Sequence, residues 1–112
     1  ELYSRAASAE DAGLRESSIV IDPGFGFSKD AGQNIALLKD LPMVANMGYP
    51  LLVGLSRKST IGRLTGMKDA SMRMPGSLAA MTAAVMWGAD IVRVHDVAES
   101  VQAAKVADAL RR

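Results

Sequence analysis

The feature that most constrains the fold is an alternation of short β-branched or aliphatic runs with longer segments of helical period. Ser18-Ile19-Val20-Ile21, Leu51-Leu52-Val53 and Ile91-Val92-Arg93-Val94 each follow a turn signal and lead into polar residues, as buried strands do. Helical period runs through Gln33 to Met47, Gly76 to Trp87 and Ala98 to Leu110, the last with Val101, Ala104, Val106 and Leu110 as its apolar positions. Leu2, Tyr3, Ala6 and Ala9 give Glu1 to Ala12 the same reading, and Gly13, Gly48 and Gly88 stand where a left-handed residue is needed to leave a helix. A parallel strand pair needs a helix-length crossover, so this order predicts an α/β fold with a parallel sheet under helices. Doubly wound and barrel folds both satisfy it. A helix-first chain with three strands falls short of the roughly 250 residues of a complete (β/α)8 barrel, and a partial TIM barrel accounts for both features.

Composition narrows the chemistry. The 112 residues contain no cysteine and a single histidine, which removes disulfides, thiol nucleophiles and thiolate metal sites and leaves oxygen ligands for any metal. Thirteen basic against 12 acidic residues give a net charge of +1, with no bulk attraction to nucleic acid or anionic membrane. No run reaches the ~18 apolar residues of a membrane span. The start lacks a basic region leading into an apolar core, so a cytoplasmic location without a signal peptide is expected. Arg57 to Pro75 is long for a strand-to-helix connection, and such loops tend to carry function.

Strand parity places the candidate site residues. Side chains alternate faces along a strand, so Arg93 and His95 share one face and Val92 and Val94 the other. The valines suit a helix layer, which turns Arg93 and His95 into the C-terminal mouth of the sheet, where barrel sites are built. Asp22 reaches the same end, to hold ring N–H donors, to neutralise a lysine or to cap the turn at Pro23-Gly24. The loop continues through Phe25, Gly26 and Phe27, which suits either a cover for a flat ligand or a hydrophobic plug. At the second strand end Gly54 leaves room for close approach, and Ser56, Arg57, Lys58 and Ser59 offer donors to an anion or carboxylate, or form a solvated basic turn. Trp87 and the methionines at 72, 74, 81 and 86 read as packing residues, and Ser77 as a helix N-cap or first-turn residue.

Taken together, Ile21-Asp22-Pro23-Gly24-Phe25-Gly26-Phe27-Ser28-Lys29, Leu52-Val53-Gly54-Leu55-Ser56-Arg57-Lys58-Ser59, Pro75-Gly76-Ser77-Leu78-Ala79 and Ile91-Val92-Arg93-Val94-His95-Asp96-Val97 resemble the dihydropteroate synthase family. The resemblance covers nearly the whole chain. It implies that residues 1–112 are the C-terminal portion of a single pterin-binding TIM-barrel domain, with strands six to eight and helices five to eight and without the N-terminal half. The implied reaction joins 4-aminobenzoate to 6-hydroxymethyl-7,8-dihydropterin pyrophosphate, giving 7,8-dihydropteroate and pyrophosphate in folate biosynthesis.

By the same resemblance Asp22 and Lys58 bind the pterin ring, Gly54 lets it lie deep, Arg93 stacks on it, and Arg93 and His95 hold the pyrophosphate. Asp22, Lys58, Arg93 and His95 are thus the implied catalytic group. Phe27, Arg57, Lys58 and Ser59 flank the 4-aminobenzoate, where sulfonamide drugs compete. No redox cofactor is implied, no metal ligand falls on this chain, and Mg2+ enters through the pyrophosphate and the absent half. A homodimer through helices of this half is also implied, with no nucleic-acid or membrane partner. The family commonly has glycine where Ser28 stands, and its magnesium-associated asparagine and mobile loops belong to the absent half, so these residues alone are expected to be inactive. Two other readings are the pterin-binding domain of a corrinoid-linked methyltransferase and a non-catalytic half-barrel assembly module. Ser56-Arg57-Lys58-Ser59 and the Arg93/His95 pair argue against the first.

Overall fold

The structure, a computed structural model, describes residues 2–25 and 30–111. Helix α1 spans Leu2–Asp11, α2 Ala31–Lys39, α3 Leu41–Ala45, α4 Ser59–Thr65, α5 Met74–Met86 and α6 Val97–Arg111, with strands β1 at Leu52–Val53 and β2 at Ile91–Val92. Strands β1 and β2 pair in parallel, Leu52 with Ile91 and Val53 with Val92. Residues 18–21, expected as a strand, contribute one parallel bridge, Ile21 to Leu51, because Glu16–Ser18 closes into a 3-10 turn. Three chain segments nevertheless lie side by side, joined by crossovers that carry α2 with α3 and α4 with α5. This is the parallel α/β arrangement that the alternating pattern dictates.

Local chemistry sets the helix bounds. Asp30 and Gln33 form a reciprocal capping box, Oδ1 accepting the Gln33 N–H at 2.8 Å and Oε1 the Asp30 N–H at 2.9 Å, so α2 begins before the expected Gln33. The helix expected over 33–47 breaks at Asp40, since Pro42 has no N–H for the carbonyl of Leu38 and instead occupies the first turn of α3. The connection 57–75, expected as a loop, holds α4 and a 3-10 turn at Ala70–Met72. Pro75 likewise falls in the first turn of α5, whose start at Met74 lies two residues ahead of the expected one.

The core lies between the sheet and its helices. Phe25, Leu41, Leu51 and Val53 are its largest fully buried apolar side chains, joined by Ile21, Val44, Tyr49, Leu55 and Ala84. Burial of side chains this size contributes about 1.5–3 kcal/mol each. Helix α1 docks through Ala6 and Ala9, and the Tyr49 hydroxyl donates to Glu10 Oε2 at 2.8 Å. Helix α6 buries Ser100 and Ala107, leaving Val101, Val106 and Leu110 exposed, so small residues rather than the valines form its inner face. Met81 belongs to the core, while Met72, Met86 and Trp87 stay on the surface. Among the described residues no helix is long and apolar enough to cross a membrane.

The helix-ending glycines differ in what surrounds them. Gly13 and Gly88 have φ of 109° and 116°, but a Cβ at Gly13 meets nothing within 4 Å while one at Gly88 falls 2.6 Å from Ala45 Cβ. Gly13→Ala should therefore cost only backbone strain, about 1–3 kcal/mol. Gly88→Ala should cost a further ~1–3 kcal/mol from overpacking. Urea midpoints of the two variants check this, and equal losses would show that the Gly88–Ala45 approach relaxes freely.

Candidate functional site

The C-terminal ends of the three sheet segments carry the side chains singled out above. After Ile21, the exposed Asp22 accepts the Gly24 N–H on Oδ1 at 2.9 Å, a local turn that its short carboxylate favours. Phe25 then plugs the core, whereas Phe27 lies outside the described residues.

After β1, Gly54 is buried, and a Cβ there would stand 3.1 Å from Arg93 Nη2 and 3.2 Å from its Nε. The guanidinium of Arg93 thus lies against the bare backbone of Gly54. Its register is set by the Arg93 N–H, which donates to the Val53 carbonyl at 3.0 Å. Two residues on, the buried Ser56 meets His95 twice: its Oγ accepts the His95 backbone N–H at 3.2 Å and lies 2.9 Å from Nδ1. Val92 faces the other way, lining a hollow with Val85 and Val101. Parity therefore separates Arg93 and His95 from the helix layer as expected.

Lys58 caps the start of α4 with extended backbone, Ser59 is the first residue of that helix, and the Lys58 ammonium donates to the Phe25 carbonyl. Burial, and then the Arg93 cation, push the Lys58 ammonium below its ordinary value, while the Asp22 carboxylate pulls it back up. Asp22, Lys58 and Arg93, contributed by three separate segments, thus share one electrostatic neighbourhood. The Arg57 guanidinium turns elsewhere. It pairs with Asp96 at 2.8 Å, which raises its already high pKa.

Arg57 has a positive φ of 58°, rare for a residue with a Cβ. Both of its peptide groups are held. Its N–H donates to Ser77 Oγ at 2.9 Å, and its carbonyl accepts from Arg73 Nη1 at 2.8 Å. Arg73 also donates from Nε to the Met67 carbonyl at 2.8 Å and from Nη2 to that of Lys68 at 2.7 Å. It rests on Gly62, where a Cβ would come within 2.6 Å of Nη2. The turn that presents Lys58 and Ser59 is therefore braced from the start of α5.

Sequence reasoning missed Arg73 and gave Ser77 only a helix-start role. The available signal was Gly62 and Gly76, side-chain-free positions inside α4 and α5; a Cβ at Gly76 would reach 2.8 Å from Ile61. Removing the Ser77 hydroxyl should free the Arg57 amide. In Ser77→Ala, hydrogen exchange at that amide should rise about three- to tenfold, the equivalent of one hydrogen bond. An unchanged rate would mean that Arg73 alone fixes the turn.

Comparison with known proteins agrees with this geometry. Residues 1–95 match the family model described as pterin binding enzyme. The chain is 52% identical over 113 residues to a dihydropteroate synthase of Neisseria meningitidis serogroup B, covering 96% of this chain and 40% of that protein. It superposes with a TM-score of 0.94 on Xanthomonas albilineans dihydropteroate synthase in complex with 7,8-dihydropteroate, at 45% identity over 98% of this chain and 42% of that one. For the Thermus thermophilus dihydropteroate synthase in complex with 4-aminobenzoate the TM-score is 0.92, at 46% identity over 99% of this chain and 44% of that one. The chain spans about 40% of the length of the curated relatives it matches. A family model matched over residues 1–95, together with the three-segment site, shows that the chain belongs to the family of pterin-binding enzymes.

Proposed function

We propose that these residues supply the pterin-facing and pyrophosphate-facing side of a dihydropteroate synthase, as the C-terminal part of a TIM barrel in which the three sheet segments are strands six to eight. The observation that carries this reading is the convergence of Asp22, Lys58 and Arg93 from three segments, with Arg93 lying over Gly54. A flat pterin ring fits against a residue without a side chain. In this reading Asp22 and Lys58 read its ring edge and Arg93 stacks along it. Arg93 and His95 hold the pyrophosphate.

The chemistry follows from the charges. The bond between the pterin methylene carbon and the pyrophosphate oxygen breaks, and its electron pair leaves with the pyrophosphate. The amine of 4-aminobenzoate donates its lone pair to that carbon and releases a proton to water. Asp22 offsets the positive charge that develops on the pterin, and Arg93 with His95 offsets the charge of the departing anion. Support for the aromatic substrate comes from the solved relative in complex with 4-aminobenzoate. Phe27, Lys58 and Ser59 flank it in this reading, which is also where sulfonamides compete. Arg57, whose guanidinium is tied to Asp96, contributes through the turn that carries Lys58 and Ser59. In this reading Mg2+ enters with the pyrophosphate and with residues outside this chain. The exposed Val101, Val106 and Leu110 of α6 favour a homodimer through this helix.

Titration calorimetry with the pterin pyrophosphate tests the assignment in a full-length family member carrying these residues. Asp22→Asn and Arg93→Ala should each weaken binding about 10- to 100-fold, as loss of a charge-assisted contact does. Trp87→Phe, on the surface, should leave it unchanged. Equal effects of all three would sink the site.

A further inference from the structure

We infer that Ser56 is a positioning residue that holds His95 in its Nε2–H tautomer, so that the imidazole meets an anion with a donor rather than a lone pair. The inference rests on the reading of His95 as a pyrophosphate ligand. Ser56 is buried in the turn after β1, and its Oγ makes two contacts with one residue on the neighbouring strand end. A serine hydroxyl has one proton to give and two lone pairs with which to accept. The His95 backbone N–H occupies one lone pair at 3.2 Å. Among the described residues the acceptor within reach of the hydroxyl proton is His95 Nδ1, at 2.9 Å.

Donation of that proton leaves Nδ1 without one, and the neutral ring then carries its hydrogen on Nε2. The opposite arrangement, with Nδ1–H donating to Oγ, would strand the hydroxyl proton of a buried residue. Two contacts to one oxygen also fix the ring relative to its own backbone. The exposed side chain thus presents Nε2, the nitrogen that Ser56 leaves unengaged. A phosphate oxygen accepts hydrogen bonds and does not donate them, so an unrestrained imidazole would spend part of its time in the tautomer that repels the ligand. Ser56 removes that population.

Nitrogen-15 NMR of the imidazole reads the tautomer directly. The protein is a full-length family member carrying these residues, at a pH where the ring is neutral, with the His95 signals identified by their loss in His95→Gln. The expected result is a protonated Nε2 and an unprotonated Nδ1. In Ser56→Ala the pair should collapse to the averaged signals of a tautomer mixture, and affinity for inorganic pyrophosphate should fall about three- to tenfold. Ser56→Thr, which keeps the hydroxyl, should restore both. A protonated Nδ1 in the unmutated protein overturns the inference without recourse to any variant, and so does an unchanged tautomer in a folded Ser56→Ala. Should His95→Gln leave pyrophosphate affinity intact while the tautomers behave as stated, the pyrophosphate reading falls and the control of His95 by Ser56 stands.

Discussion

Everything at the site depends on the way Leu51 is held at the centre of the sheet. Its side chain is fully buried, it bridges in parallel to Ile21, and its carbonyl accepts the N–H groups of both Asp90 and Ile91, at 2.9 and 3.0 Å. Its own N–H donates to Asp90 Oδ2 at 2.9 Å. One buried residue therefore fixes the register of all three segments. A buried backbone group without a partner is costly, so these bonds restrict sliding of one segment past another. Because side chains alternate along a strand, register decides whether Asp22, Arg93 and His95 reach one mouth or turn into the helix layer.

Beyond the sheet, the site is organised by side chains that grip backbone. Arg73 ties three carbonyls, Ser77 takes the Arg57 N–H, and Lys58 donates to the Phe25 carbonyl. Such contacts hold a turn in a conformation that local preference disfavours, as the positive φ of Arg57 shows. The consequence is preorganisation of that turn: Lys58 and Ser59 are placed before a ligand arrives, so little ordering of the turn remains to be done on binding. The partial burial that lowers the Lys58 pKa is part of the same arrangement, since it removes water that would otherwise screen the group.

Much of this was legible in the sequence, for reasons of periodicity. Alternation of strand-like and helix-like segments gave the parallel α/β order, and strand parity separated Arg93 and His95 from Val92. What stayed hidden has local causes. Ser17 and Ser18 favour a turn over a ladder, which reduced the first strand to a bridge at Ile21. Helix α4 contains Thr60, Gly62 and Thr65, poor helix formers whose stability comes from packing of Ile61 and from the Thr60 hydroxyl accepting the buried Asn34 amide at 2.9 Å. Helix α6 defied the apolar pattern because close packing on α5 selects small Ser100 and Ala107 over its valines. The brace at Arg73 reaches back 16 residues to the Arg57 carbonyl, a contact that strand and helix periodicity does not encode.

The central claim is that the three strand ends form one pterin site floored by Gly54. A crystal structure of a full-length family member carrying these residues, bound to the pterin pyrophosphate, tests it most directly. The account predicts the ring seated over Gly54, its edge on Asp22 and Lys58, with the Arg93 guanidinium moved from the Gly54 backbone onto the ring face. A ring bound elsewhere, with Arg93 still lying on Gly54, would contradict it.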